Sequence, residues 1–213
     1  MKTILDKINS LRLADKTFSV FGADDHQYVM DPVLTEAEIK EFEQKHNIQL
    51  PADYRNFLKT VGSGGCGPFY GLMSLFDESE QTNPAAPFPL SKDSVFRCVD
   101  AYDSIDESLD DDEQERLREE IFARVCCGYI FLAHEGCGMY SILIVNGKES
   151  GHVWYCDLAN DAGIFPLVHP ETGKPLSFLD WYLLWLDAGI EATETGTEMF
   201  EGYADFIPQD PED

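Results

Sequence analysis

The sequence predicts an α+β fold, a single domain in which an antiparallel β-sheet meander is packed by helices, and three observations carry that expectation. Two capped, amphipathic segments lie between residues 34 and 62. Short apolar runs separated by glycine-bearing turns fill residues 128–167. An aromatic-rich helical pattern, SFLDWYLLWLDAG, follows at residues 177–189. No internal repeat and no interdomain linker breaks the 213 residues, which argues for one domain.

Ile4, Leu5, Ile8 and Leu11 share one helical face, so residues 1–33 read as a helical extension. Within it FSVFGADDHQYV reads as a strand followed by a turn. In LTEAEIKEFEQKHNIQLP, Thr35 and Glu38 stand in capping-box relation, and Leu34 and Ile39 in the relation of a hydrophobic staple. Pro51 suits the first turn of a second helix, where its missing N–H costs nothing. Tyr54, Phe57, Leu58 and Val61 then follow the i, i+3, i+4, i+7 stripe, and Gly62 is expected to end the helix.

GSGGCG, residues 62–67, has the G-x-G-x-x-G spacing of a pyrophosphate-binding loop. That chemistry needs a strand before the loop and a helix N-terminus after it. Here a helix precedes, and PFYGLMSLF, which follows, reads as a strand. The glycines are therefore assigned to a helix stop and a tight turn.

Residues 77–100 are polar and proline-bearing and read as a surface loop. DAYDSIDESLDDDEQERLREEIFARV reads as an acidic helix from Asp103 to Glu120 and beyond, with Asp110, Asp111 and Asp112 at its start and Leu117, Ile121 and Val125 inward. YIFLAHE, MYSILIVNG, HVWYCD and GIFPL are the expected strands, the first two joined at Gly136–Gly138. In the closing helix Ser177 and Asp180 cap the start, Phe178, Trp181, Trp185 and Ala188 form the apolar side, and Gly189 is expected to end it. The acidic tail, residues 191–213, is expected to dock through Phe200, Tyr203 and Phe206 and to fray at QDPED.

Asp and Glu number 40 against 15 Lys and Arg, a formal charge of −25. A surface that negative repels phosphate backbones and anionic lipid, so neither nucleic acid nor membrane is an expected partner. It attracts basic proteins and speeds their encounter, although acidity also serves solubility alone. The first residues, MKTILDKINSLRLADK, lack the apolar stretch of a signal peptide, and no segment is long enough to span a bilayer. Six cysteines without framework spacing then read as reduced thiols, and a cytoplasmic location is expected.

Three stretches together resemble the SMI1/KNR4 family, the SUKH superfamily. LTEAEIKEFEQKHNIQLPADYRNFLKTVGSGG is similar to its opening signature, with Phe42, Leu50, Pro51, Tyr54, Phe57 and Leu58 at the signature positions. GYIFLAHEGCGMYSILIVNGKESGHVWYCD is similar to the strand block of bacterial members, and SFLDWYLLWLDAG to the closing helix. The resemblance places the domain at residues 34–190, with an acidic insert at about 77–125. It implies an antiparallel sheet cradled by helices, and no catalytic centre. It also implies the role of an immunity protein that neutralises a toxin, nucleases among them, or that of a regulatory module like the fungal members.

Cys126, Cys127, His134 and Cys137 invite a zinc reading, but their spacing is not paired C-x₂-C, and adjacent strand residues face apart. Buried thiols of a sheet core explain them better. HEGCG begins like a metalloprotease motif, yet its fifth residue is Gly138 in a strand-and-turn segment. His134 and Glu135 suggest an acid–base pair, but as strand neighbours they point apart. No catalytic residue, metal or cofactor is expected. The expected partner is a cognate basic protein toxin, held by the acidic helix residues Asp103, Asp106, Glu107, Asp110, Asp111, Asp112 and Glu113 and by the sheet-edge acids Glu135, Asp157 and Asp161. Its substrate channel would be blocked by that contact.

Overall fold

The computed structural model describes residues 3–77 and 82–197. Its elements in chain order are α1 (Ile4–Ala14), α2 (Ala23–His26), α3 (Glu36–His46), α4 (Ala52–Thr60), β1 (Phe96–Arg97), α5 (Cys98–Asp103), α6 (Asp111–Val125), β2 (Tyr129–Gly136), β3 (Met139–Ile144), β4 (Val153–Asp157), β5 (Gly163–Pro166) and α7 (Phe178–Thr195). The five strands form one antiparallel sheet in the order β1-β5-β4-β3-β2. The meander from β2 to β5 thus stands as the sequence predicts, and β1 adds an edge strand beside β5.

The sheet divides two cores. On one face Ile130, Leu132, Leu143, Val153, Tyr155 and Phe165 meet the apolar sides of α1, α3, α4 and α7. On the other, Tyr129, Ile142, Ile144, Trp154, Cys156 and Ile164 are covered by Phe88 and Val125. The alternation of strand side chains supplies both faces, and burial on both sides explains why these strands read as nearly continuous apolar runs.

The helices form for the local reasons legible in the sequence. Thr3 with Asp6, and Thr35 with Glu38, make complete capping boxes, and Ser177 caps α7 by accepting from the Asp180 amide. α1 is fastened to α7 through Ile8 and Leu11, the latter with no exposed surface, and through a Lys7–Asp187 ion pair. Residues 3–33 therefore supply part of the main core, through Ile8, Leu11, Val20, Ala23 and Tyr28.

Several expectations are corrected. FSVFGADDHQYV forms no strand. It turns through a left-handed Gly22 into the single-turn α2, whose one buried face, Ala23 and His26, fixes it to the body. PFYGLMSLF is not a strand either: only Leu72 bridges, between Gly65 and Ala133. Val61, not Gly62, caps α4, and Gly62 is required by close approach, since a Cβ there would lie 2.7 Å from the Asp31 carbonyl oxygen. Pro51 takes the N-cap position itself. The stretch read as a surface loop contains β1 and drives Phe88 into the second core, where its ring meets Trp154 at 5.0 Å. The single acidic helix is two helices, α5 and α6, joined by a turn. Val125 is buried as expected, whereas Leu117 and Ile121 are half-buried. α7 runs through Gly189 to Thr195 and is capped by a left-handed Gly196, because tertiary packing holds Gly189 inside the helix. Ala188 is half-buried on it. Phe200, Tyr203, Phe206 and QDPED lie outside the described residues.

Candidate protein-binding surface

The acidic surface is built on three buried anchors. The Cys98 amide donates to the Ala162 carbonyl at 3.1 Å, tying the start of α5 to the β4–β5 loop. Cys98, Ala101 and Ile105 are buried, and that spacing turns Asp100, Asp103, Asp106 and Glu107 outward. Asp110 then caps α6, its carboxylate accepting from the Glu113 amide at 2.9 Å, where the helix dipole also favours negative charge. Between residues 98 and 115 the chain carries nine carboxylates and no Lys or Arg.

The sign of this surface is local as well as global. Further along α6, Arg116 pairs with Glu113 and Glu120, and Arg118 with Glu115 at 3.3 Å. Those pairs partly neutralise the helix, so the uncompensated charge concentrates at residues 100–112. The hydrogen bond from the Ser108 amide holds the Asp106 carboxyl below its ordinary range, and Arg116 does the same for Glu113. Asp161, exposed at the end of the sheet, joins this surface by accepting from the Tyr102 hydroxyl on α5. The Arg118 guanidinium lies over the same Tyr102 ring, 5.2 Å from its centroid.

Of the ten expected contact acids, Asp103, Asp106, Glu107, Asp110, Asp111, Asp112 and Asp161 are exposed and Glu113 is half-buried, with Asp161 linked to α5 through Tyr102, and the other two are taken inside. Glu135 is 7% exposed, and its carboxyl accepts from the Ser141 hydroxyl at 2.6 Å. Burial pushes it up to about 8, against the opposing pull of the Ser141 hydrogen bond, with the nearby Asp157 charge adding to the rise. It is therefore neutral at pH 7. Asp157 sits in the central strand β4, not at a sheet edge, and accepts from the amide and side chain of Asn160 at 3.0 and 2.8 Å. Those bonds close the β4–β5 loop, so its role is structural. Sequence alone missed both placements, since a β-bulge around Glu135 turns its carboxyl to the Ser141 side.

His134 and Glu135 do point apart. The imidazole lies between Tyr70, tilted at 5.9 Å, and Tyr140, edge-on at 5.0 Å, on the face opposite the Glu135–Ser141 pair. Cys126 caps α6 and precedes the strand, Cys127 donates to the Pro87 carbonyl, and Cys137 is exposed in the β2–β3 turn. Cys66, Cys98 and Cys156 are the buried thiols. Among the described residues no group of three His, Cys, Asp or Glu is placed to hold a metal ion. In the glycine loop the amides of Gly65 and Cys66 donate to Leu72 and Val29 carbonyls, and the Asp31 carboxylate lies 2.6 Å from where a Gly64 Cβ would be. A phosphate there would meet a carboxylate instead of free amides.

An α+β domain whose sheet separates two cores, with its acids gathered on the covering helices, is a scaffold for binding through its exterior. The model of the SMI1 / KNR4 family (SUKH-1) matches residues 33–171, more than half of the chain, and the protein belongs to that family. No curated protein and no solved structure matches it significantly. The matched region ends before α7, which the fold nevertheless places in the main core. Among the described residues no helix is long and apolar enough to cross a membrane.

Proposed function

We propose that this protein is a non-enzymatic immunity protein of the cytoplasm that binds a cognate basic toxin and blocks it. Family membership supports an interaction role. The observation that carries the finer reading is the stretch from 98 to 115, which holds nine carboxylates and no Lys or Arg; only Glu113 and Glu115 pair with the arginines of α6, and buried Cys98, Ala101 and Ile105 turn the acids before α6 outward. A patch of one sign steers an oppositely charged partner and fixes its register more than it adds raw affinity. The free thiols fit a reducing compartment.

The test is co-expression with each product of the neighbouring genes, read as rescue of growth from any that is toxic, together with co-purification of the pair. Rescue with a stoichiometric complex is the expected result. A complex with a partner that is not toxic would transfer the protein to the regulatory role known among the family's fungal members, and absence of any complex would end the proposal.

A further inference from the structure

We propose that a strip of aromatic rings at the hairpin end of the sheet is a docking surface for an arginine-bearing segment of a basic protein. The inference deepens the reading given above and rests on it, because it assigns a second contact face to the same cationic partner.

The strip begins at Phe69 and Phe21, whose ring centroids are 6.0 Å apart, and passes from Phe21 to Tyr70 at 5.5 Å. It continues through His134 at 5.9 Å to Tyr140 at 5.0 Å and ends on Phe131 at 4.7 Å. Phe21 is 52% and Tyr70 43% exposed, so the two central rings are not core residues. The other four rings are half-buried and seat this exposed pair on the body, and an exposed apolar pair held in a fixed place marks an interaction surface.

The backbone works to keep them there. Phe69 sits at a φ of 54°, an outlier for a bulky residue, and Gly71 follows at 102°. Gly22, at 73°, allows the Phe69 carbonyl to approach so closely that a Cβ would stand 1.9 Å from its oxygen. That contact locks Phe21 beside Tyr70. Tyr70 in turn lies over Gly136, where a Cβ would be 3.3 Å from its ring, and so rests on the β2–β3 turn. Phe69 itself packs against the main core, and its strained backbone leaves the next ring, Tyr70, exposed at the surface.

Charge decides the occupant. Exposed Asp24 and Asp25 lie in α2, three and four residues after Phe21. On the other side, Asn160 donates to the Cys137 carbonyl of the β2–β3 turn at 3.0 Å, which brings Asp161 to the same end. A second copy of the chain would bring another −25 against these acids, and nucleic acid would meet the same repulsion. A cation that also stacks fits both features. Guanidinium lies flat on a ring while forking to a carboxylate, whereas ammonium remains a hydrated point charge. The molecule already holds one cation of this kind, with Arg118 over Tyr102 and paired to Glu115.

The test uses the full chain and two fluorescent probes of equal length and charge, an oligo-arginine and an oligo-lysine peptide, followed by anisotropy. Wild type should prefer the arginine probe by about fivefold, the contribution of roughly one stacked cation. Phe21→Leu with Tyr70→Leu keeps the apolar cover without ring faces, so the preference should fall to parity while lysine-probe affinity holds. Equal affinities for both probes, unchanged in the double variant, would overturn the strip yet leave the acidic-surface reading standing. Failure of both probes to bind would remove both. A wild-type dimer in sedimentation that the double variant dissolves would show the strip to be a contact between copies and overturn the proposal.

Discussion

Burial holds the His26 imidazole neutral. Its Nδ1 accepts from the Tyr28 amide at 3.0 Å, its ring packs against Trp185 at 6.0 Å, and desolvation lowers it to about 4 despite the pull of Asp25 and Asp24. A group whose folded value is depressed below its free value of 6.5 contributes stability above 6.5 and loses it as pH falls toward 4. The loss amounts to about 3 kcal/mol at the acid limit. Urea unfolding between pH 7 and 4 should show it, and His26→Asn, which keeps an acceptor for Tyr28, should flatten that slope. Glu135 behaves in the opposite sense. Its folded value is raised to about 8 from 4.5, so its contribution is complete at low pH and is lost as pH rises between those values. Glu135→Gln keeps an acceptor for Ser141 and should therefore leave stability at pH 5 nearly unchanged. At pH 9 it should raise stability by more than about 1 kcal/mol. Equal stability of the two proteins at pH 9 would show that Glu135 is ionised without cost.

Among the elements, α1 offers the sharpest test, because it lies before the region that matches the family yet reaches the main core. Leu11→Ala removes a side chain with no exposed surface and should cost 2–5 kcal/mol, a core-sized loss measured by denaturant unfolding. A loss below about 0.5 kcal/mol would make α1 an appendage. What was legible at this scale was whatever local chemistry specifies. Thr35 and Glu38, Ser177 and Asp180, and the glycine turns of the meander each name their own element. What escaped notice was set by distant partners. Phe88 stands alone in a proline-bearing stretch, and only the Trp154 and Tyr129 rings show that it is an anchor. α7 passes Gly189 because the helix is packed beyond it, and Phe21 and Tyr70 read as strand residues because their partners lie elsewhere in the chain. Of the ten acids expected to make contact, seven are exposed and Glu113 is half-buried, while Glu135 and Asp157 are hidden by burial that periodicity does not reveal at a bulge or a loop closure.

At the scale of the whole molecule the excess of 25 negative charges is distributed unevenly, with the arginines of α6 compensating its later turns and leaving its start bare. Fields of this kind act on encounter rates and are screened over about 10 Å at ordinary salt. The central claim is that this bare surface captures a basic partner. It is tested most directly by the association rate of the cognate toxin as a function of ionic strength, for wild type and for Asp110→Lys, Asp111→Lys and Asp112→Lys combined. The account predicts an on-rate that falls steeply with salt in wild type, and in the variant a rate lowered at least about tenfold at low salt with a nearly flat dependence. Identical rates and slopes for the two proteins would contradict it.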